Sequence, residues 1–257
     1  MENIPAVLGL YTVYSDLRAD MPGTLRRVAD MGYQGVEFYG EFEWEAAAVR
    51  CALADAGIPV TGWHTEWRLL QPDTIDATAQ YLREAGCPCA IVPCLGGRWR
   101  VAHGPEQESR ALWEGYAARM NTIAARLSQD GIALGYHNHD HEFELRYDGE
   151  TVFDLLNRLL DPAVILELDT GNAIEGGADP VVVLQSLRSR RVLLHCKPWS
   201  EQAGFNLTIG AEGDHNDWVA ILAAGKGNCI AHVVECEATG GGFACAEECL
   251  KGLLRYR

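Results

Sequence analysis

Val164-Ile165-Leu166-Glu167-Leu168-Asp169 decides how this chain is read: an apolar run goes straight into two carboxylates that are separated by one residue. A short continuous apolar run suits a strand buried on both faces, as in a parallel sheet covered by helices. Side chains two residues apart share a strand face, so Glu167 and Asp169 point the same way. The arrangement recurs. Val192-Leu193-Leu194 ends in His195-Cys196-Lys197, and His232-Val233-Val234 ends in Glu235-Cys236-Glu237. Leu134-Gly135-Tyr136 runs into His137-Asn138-His139, and Val60-Thr61-Gly62-Trp63 ends in His64.

Working outward, apolar runs of strand length occupy Ala6–Val13, Gly35–Tyr39, Pro59–His64, Cys89–Leu95, Ile132–Tyr136, Val164–Leu168, Val192–His195 and Ile230–Val234. Segments of helical character alternate with them: Thr24–Met31, Glu45–Ala56, Asp73–Ala85, Glu106–Gln129, Thr151–Leu160, Asp179–Leu187, Asp217–Ala224 and Ala244–Leu253. Pro72 or Asp73 opens one helix, Gly57 and Gly86 close two, and Asp179-Pro180 puts proline in a first turn. No G-x-G-x-x-G follows the first strand, so a dinucleotide-binding open sheet lacks its fingerprint. The glycines at 240–242 follow the last strand and read as a turn. Strand–helix units with such short connections fit a closed (β/α)8 TIM barrel, an α/β fold, as one domain over residues 1–257.

The composition agrees, with 257 residues that are 48% hydrophobic and 22% charged. That excludes disorder, collagen and coiled coil. Lys and Arg number 21 against 36 Asp and Glu, a formal charge of −15 that repels nucleic acid and anionic membranes. No apolar run reaches the roughly 18 residues of a membrane helix. With no basic stretch in Met1-Glu2-Asn3-Ile4-Pro5, a cytoplasmic protein is expected. The nine cysteines form no C-x2-C pair, and the expectation is reduced, mostly buried thiols.

In a barrel the C-terminal strand ends converge on one mouth, where chemistry is normally placed. His137 and His139, Glu167 and Asp169, His195 and Lys197, and Glu235 and Glu237 are same-face pairs at such ends. Burying a charge there costs several kcal/mol unless it is paired or bound to metal. Carboxylates and imidazoles on successive strands therefore call for one shared divalent cation of the Mn, Mg, Co or Zn kind, with positions open to substrate oxygens.

These residues resemble the xylose isomerase-like TIM barrel family, which includes sugar isomerases and epimerases, inosose dehydratases and endonuclease IV-type repair enzymes. Gly35-Val36-Glu37-Phe38 is similar to its second-strand G-V-E, and Tyr136-His137-Asn138-His139-Asp140-His141-Glu142-Phe143 to the Y-H-N-H-x-x-E-F run of one branch. Leu168-Asp169-Thr170-Gly171-Asn172 resembles L-D-T-G-N, His195-Cys196-Lys197 resembles H-x-K, and Gly210 to Asp214 resembles the G-x-G-D turn before an aromatic at Trp218. The resemblance implies a metal, Mn favoured, held by Glu142, Asp169, His195 and Glu235, with Glu144 and His139 as alternatives to Glu142. It implies substrate contacts from Glu37, His64, His137 and Trp199, while Trp63, Trp67 and Trp99 offer further sugar-stacking faces. Pro198 stands where the family's H-x-K-D has its Asp.

The implied chemistry is isomerisation or epimerisation of a sugar or keto-sugar by proton transfer next to a carbonyl, through an enediolate. Glu235 or His139 is the base, Glu142 or His139 the opposing acid, and Lys197 a cationic stabiliser. Loss of a β-hydroxyl would instead make a lyase acting on a keto-sugar or inosose. An endonuclease IV-like phosphodiesterase needs about three metals and a basic groove, whereas these strand ends offer ligands for about one. A non-catalytic sugar-binding barrel would have no use for the candidate bases. Family resemblance also implies pairing of copies, and residues 200–216 read as a lid or contact loop.

Overall fold

The computed structural model describes residues 4–96 and 108–257. The barrel strands are β1 (Ala6–Gly9), β2 (Gly35–Tyr39), β3 (Val60–His64), β4 (Cys89–Val92), β5 (Ala133–His137), β8 (Ile165–Asp169), β9 (Val192–Cys196) and β10 (Cys229–Val234). A short antiparallel hairpin, β6 (Arg146–Tyr147) and β7 (Glu150–Thr151), lies outside them. The eight strands are all parallel and close in the order β1-β10-β9-β8-β5-β4-β3-β2. This is the expected (β/α)8 barrel.

Helices α1 (Tyr14–Ala19) and α2 (Met21–Met31) follow β1, α3 (Ala46–Ala56) follows β2, α4 (Ile75–Ala85) follows β3, and α5 (Arg110–Ser128) follows β4. Then come α6 (His141–Glu144) and α7 (Val152–Leu159), α8 (Thr170–Glu175) and α9 (Pro180–Ser186), α10 (Trp218–Ala224), and α11 (Phe243–Tyr256). Side-chain caps set several starts: Thr151 accepts from the Asp154 N–H at 3.0 Å and Asp179 from the Val181 N–H at 2.8 Å. Gly57 and Gly86 terminate α3 and α4 as the sequence indicates. Among the described residues no helix is long and apolar enough to cross a membrane.

Several boundaries differ from expectation for identifiable reasons. The first apolar run is a strand only to Gly9, because β10 stops at Val234 opposite Leu8; Leu10–Val13 turn into a 3-10 helix. The fourth run ends at Val92, before Pro93, which has no N–H to give the ladder. Helix α2 starts earlier than Thr24 because Asp20 caps it through the Gly23 N–H, with Pro22 in the first turn. The start of the helix expected over Glu106–Gln129, and Trp99, lie partly or wholly outside the described residues.

Outward-facing strand residues pack with the helices into the main core, in which Trp63, Trp113, Tyr136, Phe38 and Phe153 are the largest buried side chains. Inside the barrel a separate apolar plug of Val7, Cys89, Ile91, Ile165, Leu193, Ala231 and Val233 fills the floor. Gly62 makes room above it: a Cβ there would sit 2.5 Å from Ile91 Cδ1 and 3.0 Å from Glu37 Oε2.

Candidate active site

Directly above the apolar plug, the same inward faces turn polar. Glu37, His64, His137, Glu167 and His195 form a buried layer contributed by five strands. His64 Nε2 lies 2.7 Å from Glu167 Oε2 and 3.1 Å from Glu37 Oε1. His137 Nδ1 lies 3.0 Å from the same Glu167 oxygen, and His195 Nε2 lies 3.3 Å from Glu37 Oε1. Burial works against charge on His64, but Glu37 and Glu167 outweigh it and lift the imidazole to about 10. His195 is likewise driven up against burial by Glu167, Asp169 and Glu37. Burial and those two neighbours push His137 the other way, well below its usual range. The layer thus alternates charged and neutral rings around two carboxylates.

One step further up stand Asp169, Lys197 and Glu235, with Glu237 at the rim. His195 presents its other nitrogen to them: Nδ1 is 3.3 Å from Asp169 Oδ2 and 3.9 Å from Glu235 Oε2. His137 does the same, with Nε2 3.9 Å from Asp169 Oδ2. Lys197 Nζ sits 2.6 Å from both Glu235 and Glu237, under the ring of Phe205 at 4.5 Å. Burial would raise Glu235, yet the Lys197 ammonium holds it far below the ordinary carboxylate range, while Lys197 is itself raised by Glu235 and Asp169 against burial. Tyr11, half exposed after β1, has its phenol raised by burial and then by Glu237 and Glu235.

The turn after β5 closes the other side. Both oxygens of Glu142 are engaged, one by the Tyr136 hydroxyl and by His141 Nε2 at 3.1 Å, the other by the His139 N–H at 2.8 Å. Burial favours a neutral Glu142, but the His141 charge wins and lowers it. Its carboxylate therefore holds the His139 backbone in place. His139 is half-buried, and burial followed by the neighbouring His137 keeps its imidazole well below the usual range, so it is neutral at neutral pH.

Two donor sets could receive a cation. His64, His137, Glu167 and His195 each place one ligand atom within 4.8 Å of the others. Asp169, His195 Nδ1 and Glu235 form the second set, nearer the mouth. Ligand bonds of roughly 2.0–2.2 Å put neighbouring donors about 3–3.6 Å apart, which the separations of 3.3 and 3.9 Å approach. The deeper set is already closed into contacts of 2.7 to 3.3 Å. Glu167 of that set and the neighbouring Glu37 grip the far nitrogens of His137 and His195, as orienting carboxylates behind metal-ligating histidines do. Glu37 Oε2 and Glu167 Oε1 are buried without a hydrogen-bond partner, a concentration of negative charge suited to a nearby cation.

The other sequence-derived candidates fall as follows. Glu37, His64 and His137 are in the buried layer, Asp169, His195, Lys197 and Glu235 around the mouth, and His139 beside it. Glu144 is exposed on α6. Trp199 packs against His215 at 5.3 Å between centroids, within the loop after β9. Trp63 is fully buried against Phe38, and Trp67 is buried beneath the Arg119 guanidinium, so neither presents a free stacking face. Glu167 was visible only as the same-face partner of Asp169. Phe205 lies in a loop with no periodicity and left no signal. Asp214 organises that loop, accepting from the N–H groups of Trp199, Gly210 and Asn216 and from Trp218 Nε1.

Comparison with known proteins agrees with this architecture. The family model for the xylose isomerase-like TIM barrel matches residues 25–240. An inosose dehydratase from Geobacillus kaustophilus is 28% identical over 188 residues, covering 67% of this chain and 60% of that protein. The rhizopine catabolism protein MocC of Rhizobium meliloti is 26% identical over 210 residues, covering 77% of this chain and 62% of that protein. The matches thus span under two thirds of the length of either curated relative. A sugar phosphate isomerase/epimerase structure from Parabacteroides distasonis superposes with a TM-score of 0.77 at 22% identity, covering 98% of both chains. With the family model matching most of its length and the closed barrel present, the chain belongs to the xylose isomerase-like TIM barrel family.

Proposed function

We propose that this protein is a divalent-metal-dependent isomerase or epimerase of a sugar or keto-sugar, working by proton transfer next to a carbonyl. The observation that carries the reading is the convergence of Asp169, Glu235 and His195 Nδ1 beside a buried lysine. Asp169, His195 and Glu235 would hold the cation, with His137 Nε2 beside them. When bound, the cation supplies Lewis-acid stabilisation of the negative charge that develops on substrate oxygens; Mn2+ suits a mixed carboxylate and imidazole set.

The protein's own groups divide the remaining work. His139, kept neutral, is the base that takes the proton from the carbon next to the carbonyl. Glu235, paired with Lys197 and beside His195 Nδ1, is committed to the cation site, so its part is to supply charge. Lys197 offers a fixed cation to the enediolate oxygen. Glu142 acts through His139 by fixing its backbone and is a positioning residue. Reprotonation on the opposite face gives an epimer, and on the neighbouring carbon an isomer.

A second reading, dehydration, has its own support in the 28% identical inosose dehydratase. The same proton abstraction starts it, and expulsion of a β-hydroxyl completes it. Incubating the protein with Mn2+ in deuterated water with ketohexoses, 3-keto-glucosides and inososes tests both. Solvent deuterium in recovered or epimerised sugar supports the first reading, and an unsaturated product supports the second. No exchange and no turnover on any member would overturn both.

A further inference from the structure

The two halves of the mouth differ in kind. His139, Asp169, Lys197 and Glu235, on or just beyond β5, β8, β9 and β10, are charged or titratable. Beyond β1 and β2 the chain presents tyrosines instead. Tyr39 stands two residues past Glu37 on the same face of β2, one step above the buried layer. Tyr11 lies two residues past Gly9, in the 3-10 turn after β1, and a Cβ on Gly9 would meet His195 Nε2 at 3.7 Å. Tyr14 opens α1 behind them. The ring of Tyr39 meets Tyr11 edge-on at 5.2 Å between centroids and Tyr14 at 6.1 Å, and Tyr11 is 6.5 Å from Tyr14. Because β1 sits between β10 and β2, this three-ring wall starts beside the segment that carries Glu235 and leads outward from it. Tyr11 is close enough to Glu237 and Glu235 for their charges to raise its phenol.

The wall is fixed in place. Thr12 Oγ1, next to Tyr11, accepts from the Cys236 N–H at 3.0 Å, which joins the turn to the residue after Glu235. Cys236 is itself bonded through sulfur to Cys245, so the reduced thiols expected from spacing are found at the other seven cysteines, six of them buried. Arg18 donates to the Tyr14 hydroxyl at 2.9 Å and pairs with Glu43 at 3.0 Å, tying α1 to the turn after Tyr39. Even so, the rings face solvent: Tyr11 is 51% and Tyr14 43% exposed, two of the five large apolar side chains exposed among the described residues. The other three, Val182, Val219 and Leu254, stand on α9, α10 and α11. Ordered, exposed rings that adjoin a polar site are suited to stacking a ligand. The tyrosines thus hold the free stacking faces that Trp63 and Trp67 lack.

We propose that Tyr11, Tyr39 and Tyr14 form a second-ring subsite, so that the substrate is a sugar carrying an aromatic aglycone rather than a free monosaccharide. Three rings in succession offer more flat surface than one sugar ring covers. Their chemistry also separates an aryl group from a second sugar. A further sugar calls for carboxylate or guanidinium partners to its hydroxyls, and the nearest such groups, Arg18 and Glu43, are taken up by each other and by Tyr14. A flat apolar ring needs no such partners. The inference rests on the proton-transfer site proposed above and deepens it by naming the substrate class.

Two 3-keto-glucosides that differ only in aglycone, methyl and phenyl, separate the wall from the reaction site. With the full chain and Mn2+ in deuterated water, the phenyl glycoside should show a KM about tenfold lower. The ratio of the two KM values within a variant does not depend on how much of it is folded. That ratio should fall to about one in Tyr39→Ala, fall by less in Tyr14→Ala, and persist in Tyr14→Phe, which keeps the ring and loses the bond from Arg18. Equal KM values for the two glycosides in the parent would overturn the wall and leave the proton-transfer reading standing. A Tyr14→Ala variant that changes oligomeric state in analytical ultracentrifugation yet keeps the preference would make the wall a contact between copies of the chain and overturn it as a subsite. If neither glycoside reacts, the proton-transfer reading fails, and saturation-transfer NMR with phenyl glucoside decides the wall alone. Strong transfer to the phenyl protons, lost in Tyr39→Ala, supports it; no such transfer overturns it.

Discussion

The floor and the mouth of this barrel are made by the same faces of the same strands, yet they share almost no chemistry. On β8, Ile165 lies in the apolar plug, while Glu167 and Asp169 on the same face are charged; on β9 the sequence is Leu193, then His195, then Lys197; on β10 and its extension, Ala231 and Val233, then Glu235. Two residues of rise, roughly 6.6 Å, separate a water-free hydrocarbon layer from a set of paired charges. The floor gives rigidity and excludes water from below. The layer above converts that rigidity into orientation, since Glu37 and Glu167 fix the imidazoles whose outer nitrogens face Asp169. Stability and chemistry are therefore separable along each strand.

That separation can be broken experimentally, and the largest effect is expected at the mouth. Asp169→Asn keeps the side-chain cap on the Asn172 N–H, at 2.8 Å in the parent, but removes a charged ligand. Turnover should fall by about 10^3-fold or more and Mn2+ binding should be lost, with a melting temperature close to the parent's. Leu193→Ala should do the reverse. A cavity in the plug is expected to cost about 2–5 kcal/mol in denaturant unfolding, while the Mn2+ dissociation constant stays within about twofold of the parent. A large change in Mn2+ affinity from Leu193→Ala would show that floor and mouth are coupled.

Glu37→Gln probes the layer between. It removes the charge that orients His195 through Nε2 and should weaken Mn2+ binding by about 10–100-fold, as loss of an orienting carboxylate does. Unchanged affinity in a calorimetric titration would mean that His195 is positioned by Asp169 alone. The smallest effect concerns a group on β10 that belongs to neither set. Burial, reinforced by Arg257, lowers His232 to about 3. The unfolded chain then binds the proton that the folded one refuses, so stability falls as pH drops from about 6.5 toward 3. His232→Gln should flatten that part of a melting-temperature profile; a profile unchanged by the substitution would rule His232 out as its source.

The barrel was legible because its strands are continuous apolar runs that stop on ionisable residues, a pattern local to each strand. The inward residues His64, His137, Asp169, His195, Lys197 and Glu235 were legible for the same reason, whereas Glu37, in the middle of β2, was marked only by the resemblance of Gly35-Val36-Glu37 to a family element. What each residue does was less so, because partners arrive from distant strands: Glu167 meets His64 across 103 positions, a pairing fixed by barrel closure and strand stagger. Glu142 shows the limit most clearly. Its motif marks it as a ligand by resemblance, but its place in α6 gives its oxygens to Tyr136, His139 and His141. Trp63 misled for a related reason: it alternates outward from Gly62 and His64 and is buried between strand and helix.

The most direct measurement is an anomalous difference map from crystals of the protein soaked in Mn2+. The expected result is one peak per chain, bounded by Asp169, His195 Nδ1 and Glu235. A peak enclosed by His64, His137 and Glu167, or no peak at a concentration that saturates the protein in solution, would contradict a cation at the mouth.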